Sequence, residues 1–221
     1  MRRKLKICAY ICNYNSLLIA INYKLTQTIH MQKIFDEKIH NIIITLLEQE
    51  PLDKITAPKI MKLTNMTYQA FYYHAKNPHD YLCKRMKVKI DEIVKLRHNT
   101  IEEIIPMTRL ILLYFRDNRI IFSAIMQSEK HKYEYLECLR KSVYDGIFVF
   151  VNRFYVKLPV EYHEETARLF TEYVTDSIYG VLYRDLKSGM KADANDIIEE
   201  YRRFYPEPFS SKFEKIISEG T

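Results

Sequence analysis

Residues 55–82, ITAPKIMKLTNMTYQAFYYHAKNPHDYL, contain the most closely spaced helix boundaries in the chain. Three of these residues are good helix N-caps and divide the stretch into short helices: Thr56, Thr67 and Asn77. Pro58 lies in the first turn after Thr56, and Pro78 directly follows Asn77, at positions where a missing N–H costs nothing. The caps predict a helix from Thr56 to near Asn65, a short helix over 68–76, and a longer helix from Asn77 to about Leu96.

The short helix after Thr67 has two unlike faces. Three apolar residues in it or just before it are spaced to pack inward against Ile60 and Leu63: Met66, Ala70 and Phe71. Four polar or aromatic side chains then face outward: Tyr68, Gln69, Tyr72 and Tyr73. Asn65, in the turn before this helix, tolerates the left-handed backbone that a tight turn requires. The order helix, turn, short helix, long helix is typical of a helix-turn-helix module.

The rest of the chain also has helical periodicity. Apolar residues at positions 39, 42, 43, 46 and 47 predict a helix over 32–49, which Pro51 ends. Five further helices are predicted after residue 100: 101–117, 119–127, 133–155, 164–189 and 193–205. The chain has only four glycines, at positions 146, 180, 189 and 220, and a sheet-rich fold needs more of them in its turns. The predicted fold class is all-α.

The positive charge lies in the first ninety residues. Of the net charge of +6, residues 1–31 contribute +5 and residues 54–89 contribute +7, whereas residues 32–53 and 90–221 contribute −3 each. A basic N-terminal part joined to a mildly acidic body favours a protein whose N-terminal part binds a polyanion.

Several other classes of protein are not favoured. The glycines are too scattered for a phosphate-binding loop or a dinucleotide fingerprint, and His163-Glu164-Glu165 lacks the second histidine of a zinc-protease helix. No serine or cysteine has the local signature of a nucleophile, so the chain is not expected to be an enzyme. The histidines at 40, 98 and 131 are expected to be ordinary surface or core residues.

Cysteine usage and hydropathy indicate which cellular compartment is expected for the protein. The four cysteines, at 8, 12, 83 and 138, do not form a disulfide framework, and reduced cytoplasmic thiols are expected. Cys8 and Cys12 share a predicted helix face without a second ligand pair, so no metal site is predicted. The apolar N-terminal stretch is interrupted by asparagines and resembles neither a signal peptide nor a membrane span.

Residues 55–82 resemble the TetR (tetracycline-repressor-like) family of bacterial transcription regulators. The positions that carry the resemblance are Thr56, Ile60, Met66, Thr67, Ala70, Phe71, Tyr72, His74 and Leu82. Three positions depart from the family pattern: Asn65 replaces the turn glycine, Ala75 replaces a phenylalanine, and Pro78 replaces a lysine. The family pattern extends over these residues, and beyond residue 90 the likeness is one of helix layout only.

The resemblance implies an all-α, two-domain protein. Residues 32–84 would form a three-helix helix-turn-helix DNA-binding domain, and residues 85–221 a C-terminal helical bundle for effector binding and dimerisation. Residues 1–31 would be a basic extension, either a DNA-binding arm or sequence upstream of a start at Met31. The implied function is a ligand-responsive repressor that binds a palindromic double-stranded operator as a homodimer. No cofactor and no membrane partner are implied.

The DNA-contacting residues follow from placing the short helix in a major groove. Gln69 would bond an adenine edge, and Tyr68 and Tyr73 would touch thymine methyls or sugars. Phosphates would be contacted by Thr67 and by the two residues carried over from the family motif, Tyr72 and His74. Flanking phosphates would be contacted by Thr56, Lys59 and Lys76.

A small-molecule effector is also implied, and its pocket would have aromatic walls. The candidates are Phe115, Phe122, Met126, Phe148, Phe170 and Tyr173, with Tyr114, Phe150, Phe154 and Tyr179 as further aromatics. At helical spacing the same residues are as consistent with an ordinary core.

One alternative function remains open at the level of sequence. The changes at Ala75 and Pro78 are consistent with a coactivator or protein-interaction module, in which the same fold binds a partner protein in place of DNA.

Overall fold

The computed structural model describes residues 32–95, 104–155 and 164–204. All regular secondary structure in these ranges is helical, which confirms the predicted all-α class. The first three α-helices are α1 (residues 32–47), α2 (Ala57–Thr64) and α3 (Tyr68–His74), with a 3-10 helix, Leu52–Lys54, between α1 and α2. The remaining helices are α4 (Pro78–Lys95), α5 (Ile104–Asp117), α6 (Arg119–Gln127), α7 (Lys132–Tyr155), α8 (Glu164–Lys187) and α9 (Ala194–Phe204). The predicted basic extension, 1–31, and the C-terminal tail lie outside the described residues.

The turn between α2 and α3 has the predicted backbone. Asn65 adopts a left-handed conformation, with φ of 53°, and the Ala70 N–H donates to Thr67 Oγ1 at 3.2 Å. α3 ends at His74, two residues earlier than predicted, because the Lys76 N–H donates to Asp80 Oδ2 at 2.8 Å in the turn into α4. Asn77 Oδ1 accepts the Asp80 N–H at 2.8 Å, as expected of an N-cap.

One detail of the predicted packing is wrong. Leu63 does not pack inward, since 54% of it is exposed, and the buried positions of α2 are instead Ala57 and Ile60. Thr56 occupies the N-cap position of α2, but its side chain makes no capping hydrogen bond. Met66 and Phe71 are buried as predicted, and Ala70 packs against the core.

α4 is held against α1 by polar contacts at the edge of the core. Arg85 forms ion pairs with Asp36 and Glu37, and the Tyr81 hydroxyl donates to the backbone carbonyl of Asp36 at 2.8 Å. The predicted domain boundary between residues 84 and 85 falls in the interior of α4. One continuous helix therefore belongs to both the N-terminal and the C-terminal part.

The C-terminal part is built on α7, which packs against both α4 and α8. α5 contacts both α8 and α9, and Arg116 of α5 pairs with the buried Asp185 near the end of α8. α8 ends in a left-handed turn, with φ of 78° at Gly189, whose N–H donates to the carbonyl of Leu186 at 3.0 Å. Within the described ranges, no helix combines the length and the apolar character needed to cross a membrane.

Gly146 allows α7 to approach α4 closely. A Cβ at this position would lie 2.7 Å from Val94 Cγ2, and a β-branched valine has little rotamer freedom to move aside. We expect Gly146→Ala to destabilise the protein, because overpacking of about 1–3 kcal/mol exceeds the gain in helix propensity of about 1 kcal/mol.

The control for this prediction is the same substitution in a Val94→Ala background, where the clash is removed. There Gly146→Ala should raise the free energy of unfolding, measured by urea denaturation. An equal effect in the two backgrounds would contradict the close contact between α4 and α7.

Candidate nucleic-acid interface

α3 exposes an unusual amount of aromatic surface for a helix of 7 residues. Tyr68 is 65% exposed, Tyr73 74% and Tyr72 40%, and Gln69 is also exposed. Phe71 is the helix's one fully buried side chain, and it fastens α3 to the core. The four outward positions predicted from the sequence therefore lie together on one solvent-facing surface, which we call the α3 face.

Two tyrosines of the α3 face are pre-arranged by contact with each other. The rings of Tyr68 and Tyr72 stack with centroids 4.1 Å apart, and Phe71 meets the Tyr72 ring edge-on at 5.6 Å. Hydrogen bonding with the Tyr68 side chain raises the pKa of the Tyr72 hydroxyl above its usual value. The hydroxyl is protonated at neutral pH, as tyrosine hydroxyls ordinarily are, and can donate to an anionic oxygen.

The C-terminal end of α3 is connected to α1 and α4. Gln32 Nε2 donates to the Tyr73 hydroxyl at 3.0 Å, and the Phe35 and His74 rings are 6.4 Å apart. Lys84 Nζ donates to the carbonyl of His74 at 3.2 Å. Movement of α1 or α4 would therefore be transmitted to this end of α3.

The predicted phosphate anchors flanking α3 are not equivalent. Lys59 Nζ lies 2.6 Å from Glu50 Oε2, so this ammonium already has a carboxylate partner. Thr67 is exposed and its hydroxyl is used as the α3 cap, while Thr56 and Lys76 are exposed at the start of α2 and after α3.

Ion pairing reduces the effective charge of the basic segment 54–89. Lys84, Lys87 and Lys89 are exposed but pair with Asp80, Asp145 and Glu92 at 3.0, 3.0 and 3.3 Å. Three exposed lysines of this segment have no ion pair with any described residue: Lys54, Lys62 and Lys76. These three positions precede, lie within and follow the α2–α3 pair.

The two departures from the family pattern that bear on the alternative function are both buried. Ala75 is 0% exposed at the C-cap of α3, and Pro78 is buried at the first position of α4. Neither residue therefore contributes a side chain to the α3 face.

The predicted effector residues do not gather around one described cavity. Phe115 and Phe122 are fully buried with ring centroids 4.3 Å apart, and Tyr114 and Tyr135 pack against Phe122. Phe148 is 40% exposed and stacks on Tyr144, whereas Phe170 is buried. Tyr173 lines a cavity of about 680 Å³ between α8 and α9. Met126 is half-buried and packs against the core.

A charged cleft that sequence reasoning missed lies between α1, α4 and the α5–α6 corner, with a volume of about 690 Å³. Its walls carry His74, Tyr81, Arg85, Asp36 and Tyr114 among others. Tyr81 and Arg85 are four residues apart and share one helix face. The sequence contains no other local sign of this cleft. Asp36, the ion-pair partner of Arg85, comes from α1, so this ion pair depends on the tertiary fold.

A scan against protein-family models gave no match, and a search of curated proteins gave none.

Proposed function

We propose that this protein is a sequence-specific DNA-binding transcription regulator in which α2, the turn at Asn65 and α3 form a helix-turn-helix. The observation that carries the proposal is the α3 face. The buried Phe71 and the capped N-terminus of α3 hold its tyrosines and Gln69 toward solvent, and these side chains are not part of the buried core. In this proposal α3 lies in the major groove of double-stranded DNA and α2 crosses the backbone.

Each residue of the α3 face has a proposed role. Gln69 reads an adenine edge, and Tyr68 and Tyr73 contact thymine methyls or sugars. The Tyr72 hydroxyl donates to a phosphate, and its stacking on Tyr68 keeps both rings ordered before DNA arrives. Thr67, His74 and Thr56 bond backbone oxygens, and Lys76 adds charge. Lys59 contributes only if it exchanges Glu50 for a phosphate.

Ligand control is part of the proposal. The cluster around Phe115 and Phe122 is buried and closely packed, whereas the charged cleft is open and connects to α3 through His74. A polar effector in the cleft would compete with the ion pair between Arg85 and Asp36, and so shift α4 relative to α1. Repression that the effector relieves is the mode we propose.

We also propose a homodimer formed through α8 and α9. Leu169 and Tyr173, four residues apart on α8, are 53% and 56% exposed. In the groove between α8 and α9, Ser177 Oγ and the Tyr201 hydroxyl lie 2.8 Å apart. Two-fold symmetry would place two α3 helices about 34–36 Å apart, which matches half-sites of a palindrome one DNA turn apart.

The dimer can be tested by Leu169→Glu. A charge at this exposed position should not unfold the protomer, but across a two-fold interface it would desolvate two carboxylates, so we expect dissociation into monomers. Sedimentation velocity checks the mass. Val149→Glu, at an α7 residue that is 51% exposed, is the matched control and should stay dimeric. A monomeric wild type, or a dimeric Leu169→Glu, would contradict the proposed interface.

The test of the function itself is DNA binding as a function of salt, by wild type and by Tyr72→Ala. Salt-dependent binding by the wild type and weaker binding by the variant is the expected result.

A protein-interaction module is the second candidate function. Two observations favour it: Lys59 is already paired with Glu50, and buried Pro78 offers no cation where the family has a lysine. In this case the exposed tyrosines of α3 would contact a partner protein. Absence of DNA binding by the wild type at low salt would favour this candidate.

A further inference from the structure

Two histidines and a glutamate from different helices converge at the junction of the N-terminal and C-terminal parts. His79 lies in the first turn of α4, His131 immediately precedes α7, and Glu134 is in the first turn of α7. His79 Nε2 is 3.2 Å from Glu134 Oε2, and His131 Nδ1 is 3.5 Å from the same oxygen. One ligand atom from each residue lies within 4.8 Å of the other two.

These separations suit a tetrahedral metal ion. Imidazole nitrogen and carboxylate oxygen bind Zn²⁺ at about 2.0–2.2 Å, so two such ligands on a tetrahedron are about 3.4 Å apart. The two separations from the glutamate oxygen fall close to this value. Two histidines and one glutamate form an established three-ligand zinc set that leaves one position for solvent.

The fold brings the three residues together without the ion. Asp53 Oδ2 accepts the Glu129 N–H at 3.1 Å, and the His131 N–H donates to Ser128 Oγ at 3.0 Å, which fixes the turn before α7. The imidazole rings of His79 and His131 stack with centroids 4.6 Å apart and planes 19° apart, so one ring must turn for both nitrogens to point at the same ion. The His79 side chain is 11% exposed and that of Glu134 is 68% exposed, so the site is buried on the His79 side and open to solvent on the Glu134 side.

The neighbouring groups indicate which ions would bind. Cys83 Sγ lies 3.6 Å from His79 Nε2, beside a ligand set of two imidazole nitrogens and one carboxylate oxygen. Such a set favours Zn²⁺, Co²⁺ or Ni²⁺ over Mg²⁺ and Ca²⁺, which take oxygen ligands. His79 Nδ1 is buried without a hydrogen-bond partner among the described residues. Since most metal-bound histidines have that second bond, we expect affinity about 10–100-fold below that of a fully supported site.

We propose that His79, His131 and Glu134 form a binding site for a divalent transition-metal ion of the Zn²⁺ class. The bound ion joins the first turn of α4 to the first turn of α7. A cavity of about 300 Å³ beside the site is lined by Tyr72, Lys76, His79 and His131, so the site adjoins the end of α3. If the proposed DNA-binding function holds, the ion would fix the α3 face relative to the body and change DNA affinity, and this consequence alone depends on that function.

The experiment uses the full chain, freed of metal with a chelator and titrated with Zn²⁺ by calorimetry and with Co²⁺ by visible absorption. Glu134→Gln removes the ligand oxygen's charge at an exposed position, and His131→Ala removes a second ligand. Glu137→Gln, an exposed glutamate one turn further along α7, is the matched control. Circular dichroism verifies that each variant is folded.

Wild type and Glu137→Gln should bind one more equivalent of Zn²⁺ than Glu134→Gln and His131→Ala, or bind at least 10-fold more tightly. They should also show a Co²⁺ band in the visible range that both ligand variants lack. Equal stoichiometry and affinity in folded Glu134→Gln and wild type would overturn the site. The readouts involve no DNA, so their failure is distinct from failure of the proposed function.

Discussion

Arg116→Met is expected to lower the free energy of unfolding by about 3–5 kcal/mol. The Asp185 side chain is 1% exposed, and Arg116 reaches it through two bonds of 3.0 and 3.1 Å. The same guanidinium donates to the carbonyls of Leu112 and Ala192 at 2.9 and 2.6 Å. Methionine fills similar space but leaves the carboxylate buried without its cation, and the contact between α5 and the end of α8 depends on that pair.

The deficit of Arg116→Met should depend on pH. Burial raises the pKa of the Asp185 carboxyl, and the charge and hydrogen bonds of Arg116 oppose that rise. Without Arg116, the pKa of Asp185 in the folded state moves further above its pKa in the unfolded state. The free energy of unfolding then falls as the pH rises through the interval between these two pKa values. The variant should therefore approach wild-type stability as the pH falls through that interval, as measured by urea denaturation at a series of pH values.

Arg109→Met is the matched control, because Arg109 also lies in α5 and connects it to α9. Its Nε donates to Asn195 Oδ1 at 2.7 Å at an exposed site. Such a surface contact should be worth less than about 1 kcal/mol. A loss of similar size in the two variants, or a deficit for Arg116→Met that does not vary with pH, would contradict the role assigned to the buried pair.

Tyr72→Ala is expected to lower DNA affinity by about 10–150-fold, corresponding to the 1.5–3 kcal/mol of a hydrogen bond to a charged group. The substitution removes both the hydroxyl and the ring that stacks on Tyr68. Tyr72→Phe keeps the ring and removes only the hydroxyl, so its loss should be nearly as large if the phosphate bond carries the effect. The affinity of both variants is measured by fluorescence anisotropy, with a DNA fragment that the wild type selects from the organism's genome.

The control for Tyr72→Ala is Tyr144→Ala. Tyr144 also stacks on an aromatic residue four positions further along a helix, Phe148, with centroids 6.0 Å apart. It lies in α7, outside the α3 face, so DNA affinity should be unchanged. Equal losses at the two positions would indicate a general effect of removing an aromatic pair.

The local parts of the fold follow from the sequence. The caps at Thr67 and Asn77 and the left-handed turn at Asn65 depend on residues within three or four positions, and the structure has all three. The long helices and the closing turn at Gly189 were predictable for the same reason. The outward direction of the α3 side chains follows from helical period once Phe71 is assigned to the core.

Contacts between distant residues could not be predicted in this way. The pairing of Lys59 with Glu50, of Arg116 with Asp185 and of His79 with His131 each joins separate elements, and no spacing in the sequence reveals it. Helical period also cannot distinguish a packed aromatic core from a ligand pocket. Phe115 and Phe122 proved to be fully buried against each other, whereas Phe148 and Tyr173 are exposed.

Whether the α3 face binds DNA is tested most directly by selecting fragments from the organism's own genome and titrating the retained DNA with salt. The retained fragments should share a palindrome with half-sites about one turn apart. The three lysines of segment 54–89 that have no ion pair among the described residues, six in a dimer, predict a log–log slope of about −5 and a loss of roughly 10³-fold between 50 and 200 mM salt. No retained fragment even at low salt, or binding without dependence on sequence, would contradict sequence-specific DNA binding by the α3 face.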